Sequence, residues 1–130
     1  MNNLPDTIYN KEKFTSSPPA GYDGVFDWSW TQGCFGDTKI TPMDIDGIVE
    51  RHGHFIVFET KSVGVPVPKG QQITLDSLVK TKKFTVMIIW GKREPEEYKI
   101  IHCNGEIENG FGVDSARQRV KDWYEYADNN

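Results

Sequence analysis

The chain has 130 residues, 37% hydrophobic and 12% aromatic, which is enough for one folded domain with one core and too little for two. Its net charge of −4 excludes capture of nucleic acid by a global basic field, so any such contact must rest on local groups or on a bound cation that reverses the sign of a site. The two cysteines, Cys34 and Cys103, belong to no C-x-x-C pair, which argues against a zinc framework or a disulfide scaffold and suits a reducing, cytoplasmic setting. The opening stretch MNNLPDTIYNKEKF lacks the apolar core of a signal sequence, and no apolar run approaches the roughly 20 residues of a membrane span. A soluble protein without a membrane partner is therefore expected.

Residues 1–20 are polar, end in Ser16-Ser17-Pro18-Pro19, and predict an irregular arm. Residues 22–30 (YDGVFDWSW) are aromatic, with Val25 and Phe26 as a possible strand start, and 32–41 reads as a loop. Residues 44–50 predict a strand, Arg51-His52-Gly53 a turn, and 54–61 a second strand, together a hairpin. The run Phe55-Ile56-Val57-Phe58 is apolar on both faces, as expected of an interior strand beside a half-polar outer one. Pro66 and Pro68 make 62–70 a loop. Residues 71–82 predict a helix with Leu75, Leu78 and Val79 as its apolar stripe, and 84–90 (FTVMIIW) another buried strand. A turn at 94–96, a strand at 98–103 and a glycine-rich connection at 104–112 follow. Ser115 and Gln118 have the spacing of a capping box opening a last helix, whose apolar face carries Val113, Ala116, Val120, Trp123, Tyr124 and Ala127. The order β-β-α-β-β-α predicts one α/β (α+β) domain over 1–130, a central mixed sheet flanked by helices.

The chemistry concentrates in PMDIDGIVERHGHFIVFETK, residues 42–61. Glu59 and Lys61 are two apart on a strand and so share a face. With the turn at 51–53, residues whose numbers sum to about 104 or 105 face each other, which sets Asp46 opposite Phe58 or Glu59. Two carboxylates so placed repel unless a cation or a proton lies between them. Asp46, Glu59 and the carbonyl of Thr60 make a hard oxygen set that suits Mg²⁺, with Mn²⁺ as a substitute. Lys61 stands beside that set, able to orient water or neutralise a phosphate, and Gln71 or Gln72 opens the next helix, able to position either. The alternative is a strand-end Glu–Lys pair on a solvated sheet margin, but charges ending an apolar run of four are costly without a purpose. Asp44 is either a further ligand or a solvated strand-start residue.

These pieces, Asp46 in MDIDGIV, Glu59-Thr60-Lys61 after FIVF, and Gln71-Gln72 on the following helix, resemble the PD-(D/E)xK, restriction-endonuclease-like nuclease superfamily, closest to its RecB-like and resolvase-like branches. The resemblance covers residues 42–91. It implies a core of order α-β-β-β-α-β, Asp46 and Glu59 as metal ligands and Lys61 as the catalytic lysine. It also implies a Mg²⁺-dependent nuclease acting on DNA, with RNA as the other substrate, or a catalytically inactive relative that binds nucleic acid or a protein. Two pieces of the pattern are missing. The acid that many members carry on an upstream helix has no clear counterpart among Glu12, Asp23 and Asp27, and no tyrosine stands four residues after Gln71 or Gln72.

Other features have milder readings. His52, His54 and His102 lack the spacing of a zinc site, and the first two are expected at a solvated hairpin tip. Lys80, Lys82, Lys83, Lys92 and Arg93 bracket the strand 84–90 as a solvated face or as a phosphate-tracking patch. Phe26, Trp28, Trp30 and Phe35 predict a satellite core over one sheet face, the alternatives being a base-stacking platform or a dimer contact. A homodimer offering two sites to two strands is compatible with so small a domain.

Overall fold

The computed structural model describes residues 26–130; the irregular arm expected over 1–20 and the strand start expected at Val25 lie outside the described residues. The chain divides after Met43 into two compact units. In the first, residues 26–43 hold one 3-10 turn, Ser29–Thr31, and no strand. Phe26, Trp28, Trp30 and Phe35 are all more than 40% exposed. Phe26 and Trp28 pack edge to face with ring centroids 4.7 Å apart.

The second unit, Asp44–Asn130, is an α+β fold with strands β1 (Gly47–Arg51), β2 (His54–Lys61), β3 (Phe84–Trp90), β4 (Glu97–Ile101) and β5 (Ile107–Phe111). Helix α1 (Lys69–Lys80) joins β2 to β3, and α2 (Val113–Asp128) ends the chain. The five strands lie in sequence order in one mixed sheet, with only β2 and β3 parallel. A parallel pair needs a crossover, and α1 supplies it. β1 is an edge strand and β2 an interior one, as the half-polar and fully apolar patterns require.

The β1–β2 hairpin turns on two residues, His52 (φ 51°) and Gly53 (φ 81°), the doubly positive turn that matches strand twist. Its pairs run from Arg51↔His54 to Gly47↔Phe58. Within β2 the faces alternate. Ile56 and Phe58 join Met87, Ile100 and Tyr98 under Ala116, Trp123 and Ala127 of α2. The opposite face is covered by α1 through Leu75 and Val79, both buried.

Several boundaries move. The first strand starts at Gly47 rather than residue 44, α1 runs 69–80 rather than 71–82, and β4 runs 97–101 rather than 98–103. The glycine-rich connection contains β5, whose Gly110 pairs with Tyr98. A Cβ at Gly110 would fall into the buried Tyr98 ring, so glycine is required there by close approach. The capping box does not form: Gly112 precedes α2, Ser115 Oγ hydrogen-bonds the Tyr98 hydroxyl at 2.6 Å, and Gln118 donates to Asp122. Tyr124 is half exposed rather than on the buried face, and Arg51 lies over its ring. His54 is buried against Tyr126, not on a solvated tip, because it precedes the interior run of β2 and lies beneath the end of α2. His102 pairs with Glu108, which also takes Arg119 at 3.0 Å and so ties the end of the sheet to α2.

Gly110→Ala is expected to destabilise the fold by about 1–3 kcal/mol, the range for overpacking a filled core. Urea unfolding of the two proteins measures it. Equal midpoints would show that Tyr98 yields freely.

Candidate functional site

β2 brings Glu59 and Lys61 to its C-terminal end on the face that α1 covers. The crossover places Gln71 in the first turns of α1, and Gln71 Nε2 donates to Glu59 Oε2 at 2.6 Å. Lys61 Nζ lies 3.9 Å from the same oxygen. Asp46 sits one residue before β1, one step beyond the last ladder pair Gly47↔Phe58, and so faces Glu59. Its N–H donates a long hydrogen bond to Glu59 Oε1 at 3.3 Å. The Asp46 carboxylate turns to the strand margin, where Oδ2 accepts the Thr60 N–H at 2.8 Å and the Thr60 hydroxyl at 3.0 Å. The Thr60 carbonyl shares that margin by strand geometry.

Glu59 is 3% exposed, rare for a carboxylate. Burial pushes its pKa up, and the negative charge of Asp46 pushes it further. The Gln71 hydrogen bond, the Asp46 N–H and Lys61 oppose that rise without cancelling it. Gln71 Oε1 is also buried, with no hydrogen-bond partner among the described residues. The site therefore sets a buried carboxylate short of positive charge beside a second carboxylate, a deficit that a hard cation relieves. The oxygens placed to hold one are those of Asp46 and Glu59 and the Thr60 carbonyl. No group of three or more His, Cys, Asp or Glu able to hold a metal occurs among the described residues, so a cation here depends on two carboxylates and neutral oxygens.

The fold thus brings Asp46, Glu59, Thr60, Lys61 and Gln71 together. Gln72 stays out of the site and donates to Asp76 at 2.8 Å along the exposed side of α1. Asp44 is exposed and precedes the strand. The five basic residues do not form one patch: Lys80, Lys82 and Lys83 precede β3, while Lys92 and Arg93 follow it, about 20 Å away along a seven-residue strand. The order α-β-β-β-α-β is met only over β1-β2-α1-β3, with no α-helix or further strand before β1 among the described residues.

Two supports were not evident in the sequence. One is the Thr60 side chain as the anchor of Asp46. The other is Trp90, paired with Lys61, whose indole donates to the Val65 carbonyl at 2.7 Å and ties the β2–α1 loop over the strand ends. The signal for Trp90 was a large donor-bearing side chain at the end of an apolar strand, since a covered indole N–H needs an acceptor.

A carboxyl whose folded-state pKa is raised holds its proton more tightly folded than unfolded. Its contribution therefore erodes stability as pH rises from the ordinary glutamate range through the raised folded value. In EDTA, Glu59→Gln is expected to be more stable than the parent at neutral pH, with the difference vanishing under acid conditions. Denaturant titrations across that range measure it, and a pH-independent difference would contradict the assignment.

Comparison with protein-family models, curated proteins and solved structures finds no match to this chain.

Proposed function

We propose that the protein is a Mg²⁺-dependent nuclease that hydrolyses phosphodiester bonds of DNA. The observation that carries this reading is the buried Glu59 beside Asp46, with Lys61 and Gln71 on the same carboxylate. A divalent cation bound there supplies Lewis-acid activation of water and neutralisation of phosphate charge. Asp46 and Glu59 hold it, helped by the Thr60 carbonyl. Gln71 fixes one Glu59 oxygen through its Nε2. Lys61 offers an ammonium beside the site, able to donate to the attacking water or to a phosphate oxygen as charge develops.

The position within the sheet supports the same reading. The site lies at the carboxyl ends of the parallel pair β2–β3, where open α/β sheets place ligands. The N-terminus of α1 opens toward it with no side-chain cap and no acidic residue in its first turn, which leaves N–H groups for a phosphate. Lys92 and Arg93 follow β3 at this same end.

A second reading, a nuclease-like fold that binds nucleic acid or a protein without cleaving, is favoured by one observation. Both Glu59 oxygens and Asp46 Oδ2 already accept hydrogen bonds within the protein.

Asp46→Ala and Lys61→Ala are each expected to lower Mg²⁺-dependent cleavage of DNA by about 10²-fold or more while the circular dichroism spectrum is retained. Equal cleavage by parent and variants would sink the proposal. Mn²⁺ at 100 times its dissociation constant is expected to stabilise the parent by about 2.7 kcal/mol and to leave Glu59→Gln nearly unmoved. Absence of metal-linked stabilisation, with nucleic-acid binding retained, would favour the non-catalytic reading.

A further inference from the structure

On the sheet face opposite Glu59, a cavity of about 410 Å³ opens between α2 and the ends of β2 and β3. Its walls are apolar: Phe58, Met87, Ile89, Val113 and Val120. Met87 is fully buried and the other four are half-buried, so the cavity has an apolar floor and an open mouth. Arg117 and Lys121, one helical turn apart on α2, also line it. Both are exposed, and neither forms an ion pair among the described residues, in contrast to Arg119 on the same helix, which is held by Glu108 and Asp122.

We infer that this cavity binds a small amphipathic anion, a molecule with an aromatic or aliphatic body and one acidic head group. The apolar walls take the body, and desolvating it supplies most of the affinity. The head stays at the mouth between Arg117 and Lys121, the two cations that line it. An inorganic anion gains nothing from the apolar walls, and a neutral apolar molecule leaves both cations unused. A protein partner is the weaker fit. A standard interface buries about 800 Å² on each side, and between and beside the two cations α2 presents the polar residues Asp114, Gln118 and Asp122. The exposed apolar side chains Ile48, Ile107 and Phe111 lie on β1 and β5 and do not line the cavity. Glu94 and Glu96 flank the lining residue Pro95 without lining the cavity themselves, so the cations set the charge at its mouth.

This inference does not depend on the chemistry proposed at Asp46 and Glu59, because Phe58 and Glu59 point to opposite faces of β2.

The test is methyl NMR of the whole chain, following Ile89, Val113 and Val120 during titration with 2-naphthoate, octanoate, 2-naphthalenemethanol and inorganic phosphate. At least one of the two amphipathic anions is expected to give saturable shifts at these methyls. The uncharged alcohol should bind about tenfold more weakly than 2-naphthoate, and the exposed double variant Arg117→Gln/Lys121→Gln should lose affinity for the anions by a similar factor. Phosphate alone should leave the methyls unmoved. The inference is overturned if neither amphipathic anion saturates, if the alcohol binds as tightly as 2-naphthoate, or if the double variant binds undiminished.

Discussion

Placing a carboxylate at the end of an interior strand costs several kcal/mol unless it is hydrogen-bonded or neutralised, and the elements around Glu59 are arranged to meet that cost. The crossover helix starts where Gln71 can donate to it. The hairpin register delivers a backbone N–H from Asp46, and strand alternation sets Lys61 on its face. These contacts leave the charge undercompensated, because burial strips it of solvent and Asp46 brings a second carboxylate as well as an N–H. The mismatch is local and directional. It identifies the point at which a cation would improve the protein's own electrostatics.

The register is held from both sides. The two-residue turn at His52-Gly53 fixes the pairing at one end of the hairpin. At the other end, where the ladder stops, Asp46 takes over by accepting the Thr60 N–H and hydroxyl. A one-residue slip would send Glu59 to the α2 face, into an apolar core, so the burial pattern and the site geometry are one constraint. The parallel β2–β3 pair then needs α1 as its crossover, which brings an uncapped helix N-terminus to the same strand ends. α2 backs the sheet from the other side through Ile56, Met87 and Trp123, and gives the site a rigid base.

Legibility in the sequence followed physical distinctiveness. β2 and β3 were readable because FIVF and FTVMIIW are short apolar runs, as expected of interior strands, and a turn at 51–53 limited the hairpin sum to 104 or 105, of which the two-residue turn at His52-Gly53 selects 105. β5 was not readable. IENGF owes its pairing to the fit of Gly110 over the Tyr98 ring, which no local pattern announces. The choice between Gln71 and Gln72 depended on a helix start two residues earlier than expected, since one residue is about 100° of rotation. Ser115 and Gln118 matched a capping box, but a tertiary hydrogen bond to Tyr98 claims Ser115, and Gln118 turns to Asp122. His54 resembled a tip residue because burial beneath the distant end of α2 is a tertiary fact. The aromatic run 26–35 resembled a small core, yet its side chains stay exposed, so aromatic content alone did not imply packing.

The most direct measurement of the central claim is the anomalous signal of a crystal soaked in Mn²⁺. The account predicts a single strong peak between the carboxylates of Asp46 and Glu59, within coordination distance of both, with the Thr60 carbonyl nearby. An empty site at saturating Mn²⁺, with Gln71 and the Asp46 N–H still holding Glu59, would contradict it. The buried carboxylate would then belong to the fold and not to catalysis.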